Sequence, residues 1–225
     1  MSLRPKIGFT QYRGHELIEA PETEPVTAAE LREHLRLEDN GDDSYLEMLI
    51  TSAREQFESI SARALIKQKW RLTLDRWPMQ RGEPWWDGVQ QGAITELLRS
   101  GDPGIVFLPK YKLLEVDGVR TFDQAGNASE VDLDIFIEDT RQEPGRLVLR
   151  STSAWPVALQ RANAIEIDYY AGYGEDAKDV PAALRLALLQ FAGFMYENRG
   201  DCPAEEAMRK SGASATFNRY TVARV

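Results

Sequence analysis

Apolar residues recur at helical spacing in three stretches near the two ends of the chain, and at alternating positions between them. The longest helical stripe consists of Leu46, Leu49, Ile50, Ala53, Phe57, Ile60 and Ala64. Steps of three and four residues place these side chains on one face of an amphipathic helix. The sequence predicts helices over residues 27–36, 44–64 and 181–199.

Residues that favour helix starts support these boundaries. Thr27 is followed three positions later by Glu30, and Ser44 by Glu47. This is the spacing of a capping box, in which the two residues satisfy each other's free backbone N–H groups. Pro181 suits the first position of the last helix, where a backbone N–H would have no partner in any case.

Residues 68–172 show the two-residue repeat of β-strands. Strands are predicted in QKWRLTL, GIVFLP, LLEVDGVRTF, EVDLDIFIED, LVLR and NAIEIDYYAG. Within EVDLDIFIED, one face of a continuous strand is expected to carry Val131, Leu133, Ile135 and Ile137. The segments DQAGN and EPGR contain the residues that reverse the chain in tight turns.

Helices at both ends with strands between them predict an α+β fold rather than alternating βαβ units. We expect a small helical bundle into which an antiparallel β subdomain, residues 68–172, is inserted. The expected organisation is an N-terminal arm over 1–25, one domain over 26–200 and a C-terminal tail over 201–225. The two long amphipathic helices each need an apolar partner, and the simplest partner is the other helix.

One glycine-containing turn, AGYG at 171–174, lies between a strand and a helix and suggests two interpretations. A phosphate-binding loop would need the spacing G-x-G-x-x-G or G-x-x-x-x-G-K-[ST]. Neither is present, and the carboxylates of Glu175, Asp176 and Asp179 would repel a pyrophosphate. A structural turn is the favoured interpretation.

The charge of the chain disfavours a nucleic-acid-binding function. Thirty-six acidic and 27 basic residues give a net charge of −9, whereas a sequence-independent grip on phosphates needs clustered Lys and Arg. An acidic wall beside a DNA path would instead keep the duplex from sticking. The single Cys202 fits a reducing compartment, and no apolar run is long enough for a membrane helix.

Catalytic and metal-binding patterns are also missing from the sequence. His15 lies in the arm, His34 on the polar side of the first helix, and Cys202 beyond the last one, without a nucleophile motif. Asp132 and Asp134 are expected on a solvent-exposed strand face, which makes a catalytic carboxylate pair the less favoured alternative. We expect no catalytic residue, no cofactor and no metal site.

Aromatic and apolar residues outside the predicted core are the candidate partner contacts. Trp85 and Trp86 stand in an irregular loop, where an interface role and local packing are equally plausible. The C-terminal tail carries spaced apolar residues of the kind that become ordered on a partner, with fraying as the alternative. These tail residues are Phe217, Tyr220, Val222 and Val225.

Several motifs in combination resemble the head–tail connector (adaptor) proteins of tailed phages, in the branch with a β insertion. Similar proteins occur in prophages and gene transfer agents. The motifs are VTAAELREHLRL, ALIKQKWRLTLD, and AGYG followed by VPAALR and YENR. The resemblance extends in order from Glu24 to Arg199. The loop QRGEPWWDGVQQGAITELLRSGDP is longer than expected for this family, and the tail beyond Arg199 matches loosely.

The resemblance implies a structural virion protein and no enzymatic activity. Such adaptors form a dodecameric ring beneath the portal protein and connect it to a stopper, tail-completion protein or tail, while DNA passes through the lumen without specific binding. The implied location is the head–tail junction, after assembly in the bacterial host cytoplasm, and an isolated subunit can remain monomeric. The alternatives are another phage assembly or tail-completion protein, and an enzyme with a dispersed small-ligand site.

Overall fold

The computed structural model describes residues 12–78, 104–158, 160–199 and 203–221. The chain divides into two compact units. The first is composed of Met1–Leu17, Trp70–Pro109 and Glu115–Tyr169, and the second of Ile18–Lys69, Lys110–Leu114 and Tyr170–Val225. Strands dominate the first unit and helices the second, and the predicted α+β fold with an inserted sheet is confirmed.

The helical unit contains five α-helices in the part of the chain that the structure describes. They are α1 (Ala28–Leu35), α2 (Asp43–Ser61), α3 (Ala182–Glu197), α4 (Ala204–Lys210) and α5 (Ala213–Tyr220). The long helices α2 and α3 pack against each other, as their apolar stripes predict. Their facing side chains, including Ile50, Phe57, Leu188 and Phe191, are almost completely buried in one core.

The helix starts follow the predictions in part. The capping box of Thr27 and Glu30 is formed in both directions. The box predicted for Ser44 and Glu47 is wrong, because α2 begins one residue earlier, with Asp42 at its N-cap. Ser44 therefore lies inside the first turn. Pro181 is the N-cap of α3 instead of its first helical residue.

The C-terminal tail contains two helices that the sequence did not predict. Helices α4 and α5 both contact α3, and α5 also contacts α2. Buried residues from both belong to the helical core: Ala207, Met208, Ala213 and Phe217. These helices are only two turns long, too short to be stable alone, so packing on α2 and α3 stabilises them.

Within the described residues, eight strands form two sheets. They are β1 (Tyr12–Glu19), β2 (Gln68–Leu74), β3 (Ile105–Phe107), β4 (Leu113–Phe122), β5 (Ala128–Val131), β6 (Phe136–Asp139), β7 (Arg146–Leu149) and β8 (Ile165–Ala171). The larger sheet has the order β1-β2-β8-β4-β5, and the smaller one β3-β7-β6. Strand β1 lies within the segment expected to be an extended arm, where no period was recognised.

The two turn motifs both form antiparallel hairpins. DQAGN connects β4 to β5, and Phe122 pairs with Ala128. EPGR leads into β7, and Asp139 of β6 pairs with Arg146. The turn at DQAGN is closed by the Asp123 carboxylate, which accepts hydrogen bonds from the backbone N–H groups of Ala125 and Asn127.

The continuous strand predicted for EVDLDIFIED is wrong. Strand β5 ends at Val131, a short 3-10 helix occupies Leu133–Ile135, and β6 begins in the smaller sheet at Phe136. Asp132 stops the strand because its carboxylate accepts a hydrogen bond from the N–H of Asp134, which favours a turn. Alternating apolar residues therefore do not share one face here.

Candidate functional site

The glycine turn between β8 and α3 is a close crossing of backbones. Gly172 N–H donates to the Lys112 carbonyl (2.9 Å), and Lys67 N–H donates to the Gly174 carbonyl (2.7 Å). Gly172 has φ +150°, and a Cβ atom there would lie 2.6 Å from the backbone nitrogen of Lys67. The Gly172 N–H is thus already paired, and the Lys67 backbone fills the space beside its Cα. These contacts support the structural interpretation of this turn.

Three passages of the chain meet at this crossing: residues 62–67, 110–112 and 172–174, which we call the insertion root. Besides the two bonds at the glycines, Tyr111 N–H donates to Ala62 carbonyl (2.8 Å) and Tyr173 N–H to Leu65 carbonyl (3.2 Å). Backbone groups therefore connect the passages that lead into and out of the β segment. The motif ALIKQKW contributes the first passage and AGYG the third.

A buried charge cluster lies beside the insertion root. Glu58, Arg54 and Lys110 are each about 5–6% exposed, and Glu58 accepts hydrogen bonds from Leu65 N–H (2.8 Å) and from the Gln68 side chain (2.9 Å). Burial raises the pKa of the Glu58 carboxyl, against the attraction of Lys110. Burial likewise lowers the pKa of the Lys110 ammonium. Since the carboxylate is fully engaged, the cluster positions backbone and offers no free base.

A second ion network crosses three strands of the larger sheet. Arg71 of β2 donates to both oxygens of Asp168 on β8 (2.6 and 2.9 Å). Arg120 of β4 lies 2.9 Å from Asp168 and from Glu166. The hydrogen bonds that Arg71 donates to Asp168 raise the pKa of its guanidinium. The alternation of polar and apolar residues indicates that these strands have a polar face. The sequence does not show which strands are neighbours.

The YENR motif at the end of α3 forms a stacked cluster with the start of α2. The guanidinium of Arg199 lies 4.6 Å from the ring centroids of both Tyr45 and Tyr196. Asp42 accepts from Arg199 (3.2 Å) and from the Tyr196 hydroxyl. The hydrogen bond to Asp42 raises the pKa of Tyr196. Cation–π and charge-assisted contacts together fix these helix ends to each other.

The β unit contains an open cavity of about 520 Å³, lined in part by Asp123, Glu130, Asp132 and Val157. Asp123 and Asp132 already accept backbone hydrogen bonds within their own turns. Among the residues that the structure describes, no three His, Cys, Asp or Glu side chains are grouped as metal ligands. Within the same residues, every helix is too short or too polar to span a bilayer.

The candidate contact residues of the tail have different environments. Phe217 is 2% exposed, and its ring lies 4.6 Å from that of Phe57 and edge-on to that of Phe191. Tyr220 is half-buried, and its carbonyl accepts from the Arg63 guanidinium. Phe217 thus belongs to the helical core, and its role as a partner contact stays a prediction.

The other candidate contact residues lie outside the described part of the chain. They are Trp85, Trp86, Val222 and Val225, and Cys202 lies outside it as well. The two histidines are both described. His34 is exposed on α1, and His15 belongs to β1, where its ring stacks on Trp70.

No protein-family model matches the sequence, and no curated protein matches it. Solved structures do share the fold. A chain in the neck of an empty gene transfer agent (GTA) particle computed with C6 symmetry superposes with a TM-score of 0.72. A chain in the virion of a native GTA particle gives 0.71, and one in the neck of a native GTA particle computed with C12 symmetry gives 0.70.

These similarities cover almost the whole molecule. Each spans 95% of this chain and 97% of the GTA chain, with 22% sequence identity. At that identity the superposition establishes a common fold, including the sheets inserted between the helices. The comparison therefore defines the fold of this chain as one also found in GTA particle chains.

Proposed function

We propose that this protein is a non-enzymatic structural subunit of a particle neck: a head–tail connector, or adaptor, of a tailed phage, prophage or gene transfer agent. The observation that carries the proposal is the fold shared over 95% of the chain with subunits of GTA necks. The motifs that resemble connector proteins lie on α1, at the insertion root and at the two ends of α3.

The proposed assembly is a dodecameric ring of this chain between the portal protein and a stopper or tail-completion protein. C12 symmetry in a neck that contains a similar fold supports this stoichiometry. Copies related by rotation contact each other through two different surfaces. The net charge of −9 suits a ring around passing DNA, since acidic groups repel the duplex.

Electron microscopy of this chain mixed with the portal protein of its own genome tests the proposal. The expected product is a ring of the chain stacked coaxially on the portal. A portal from an unrelated phage serves as the control and should remain bare. Bare cognate portals at saturating subunit concentration would reject the adaptor function.

We further propose that Trp85, Trp86, Tyr220, Val222 and Val225 contact neighbours in the particle. Their aromatic and apolar side chains are of the types enriched in interface cores. Replacing Trp85 and Trp86 together by Ala should weaken portal binding without changing the melting temperature of the isolated subunit. A lowered melting temperature would instead assign the two tryptophans to the subunit's own packing.

A further inference from the structure

Strand β1 presents an unusually long outer edge. Among the strands of the described residues, β1 stands at one end of the five-stranded sheet and β5 at the other. The outer side of an edge strand exposes alternating N–H and C=O groups, which can pair with another chain. Native proteins usually blunt such edges with short strands, charges or proline.

The other outer strands are short, whereas β1 is long and partly apolar. β3 has three residues, and β5 and β6 have four each. β1 has eight, contains three charged residues but no proline, and exposes Leu17 (41%) and Ile18 (37%). The edge of β1 is therefore the one best suited to accept an additional strand.

Side-chain contacts with β2 and β8 hold β1 in the sheet. The His15 ring stacks on Trp70 with centroids 4.5 Å apart, and its Nε2 lies 2.8 Å from the Tyr169 hydroxyl. A strand fixed in this way is a preformed template, so an incoming segment bears most of the ordering cost.

We propose that residues 1–11 of a second copy of this chain pair with the outer edge of β1 in the assembled ring. This inference rests on the proposed ring function. Residues 1–11 carry Arg4 and Lys6 but no carboxylate, whereas β1 carries Glu16 and Glu19 beside one cation, Arg13. Glu19 also lies 3.6 Å from Lys69, so Glu16 is the main acidic group for an incoming strand. The formal charges of the two segments are opposite, and opposite charges across paired strands are stabilising.

The sequence of residues 1–11 also suits an added strand. Ile7 and Phe9 alternate with small or polar residues, the two-residue repeat of a strand. Pro5 is compatible with the outermost position, where an N–H group has no ladder partner. The strand added by residues 1–11 would itself become the new edge, blunted by Pro5, Arg4 and Lys6.

A second copy is a better source of this strand than the same copy. A hairpin within one chain would need a tight turn at Thr10 and Gln11, directly before β1. Such turns favour Gly, Asn or Asp, which adopt positive φ at little cost. Eleven extended residues span up to about 35 Å, enough to reach a neighbouring subunit.

Cross-linking between copies tests the proposal directly. In a Cys202→Ser background, chains with Ile7→Cys are mixed with chains with Leu17→Cys, assembled on the portal and treated with a short bismaleimide. The expected product is a covalent dimer that contains one chain of each type. Chains with Val157→Cys, a position in the β unit that is 71% exposed, replace the Leu17 variant as the control and should give none.

Hydrogen exchange provides the second readout. Assembly should slow exchange at alternate amides of β1 at least tenfold, and Arg4→Glu with Lys6→Glu should reduce this protection. The matched control is Arg141→Glu with Arg161→Glu, two exposed cations elsewhere, which should leave it unchanged. If rings form normally but the Ile7→Cys and Leu17→Cys chains do not cross-link and β1 is not protected, this inference alone is overturned. If no ring forms at all, the proposed function is overturned first.

Discussion

Phe217 tests whether the C-terminal tail packs on the helical core or binds a partner. In the structure its side chain is 2% exposed, packed against the rings of Phe57 and Phe191. Replacing Phe217 by Ala removes a fully buried ring and leaves a cavity, which typically costs about 3–5 kcal/mol. For a chain of this length each kcal/mol lowers the melting temperature by about 2–4 °C.

The expected result is therefore a melting temperature lowered by about 6–20 °C in the isolated Phe217→Ala subunit. Differential scanning calorimetry and urea titration measure it without any partner. Phe217→Leu is the matched control, because it largely preserves the apolar volume and should cost only about 1 kcal/mol. Both variants should keep the far-ultraviolet circular dichroism of the wild type at low temperature.

The lost stability of Phe217→Ala can also appear as detachment of α5 alone. The helix α5 is short and depends on packing, so Phe217→Ala can release it before the rest of the core unfolds. Hydrogen exchange over residues 213–220 would then accelerate while α2 and α3 stay protected. A Phe217→Ala subunit within 1 kcal/mol of the wild type, with unchanged exchange in α5, would refute the docked position and restore Phe217 as a partner contact.

Three further predictions concern the insertion root and the smaller sheet. Gly172→Ala should lower the free energy of unfolding in urea titrations by about 3 kcal/mol or more, since its Cβ would meet the Lys67 backbone at 2.6 Å. The control Gly118→Ala, with open space around it, should cost less than about 1 kcal/mol. Equal costs would contradict the close crossing. Glu58→Gln should cost about 3 kcal/mol because it removes the negative charge that faces buried Arg54 and Lys110. An unchanged urea midpoint would argue against that burial. The hydrogen bond from Arg146 lowers the pKa of Asp139 below its usual 3.8, so the ion pair stabilises the fold above pH 3.8 and this stabilisation is lost as the pH falls through the folded pKa. The difference in melting temperature between wild type and Asp139→Asn should therefore vanish below pH 3.8. A difference that stays constant with pH would refute the ion pair.

The sequence predicted the long elements well because their periodic patterns coincide with burial. The stripe from Leu46 to Phe57 is the buried face of α2, and the stripe around Leu188 and Phe191 is that of α3. Glycine and asparagine predicted the β4–β5 hairpin for the same local reason, turn chemistry. Local signals of this kind need no knowledge of distant contacts.

Elements stabilised by distant contacts escaped prediction. The helices α4 and α5 are too short to produce a clear stripe, and β1 depends on pairing with β2, 49 or more residues later. In EVDLDIFIED the alternation was real, but the Asp132 carboxylate bonded the backbone of Asp134 and ended the strand. The Arg71–Asp168–Arg120 network could not be read in advance, because strand neighbours follow from topology.

The insertion root has a consequence for engineering this protein. Its hydrogen bonds are made by main-chain atoms of residues 62–67, 110–112 and 172–174, so most of them persist whatever side chains follow along the strands. The exposed turn residues 124–127 lie at the opposite end of β4 from residues 110–112, and they are consequently a permissive place to display a foreign peptide or fluorescent label. A protein labelled there would carry one such cargo per chain while the helices are left unchanged.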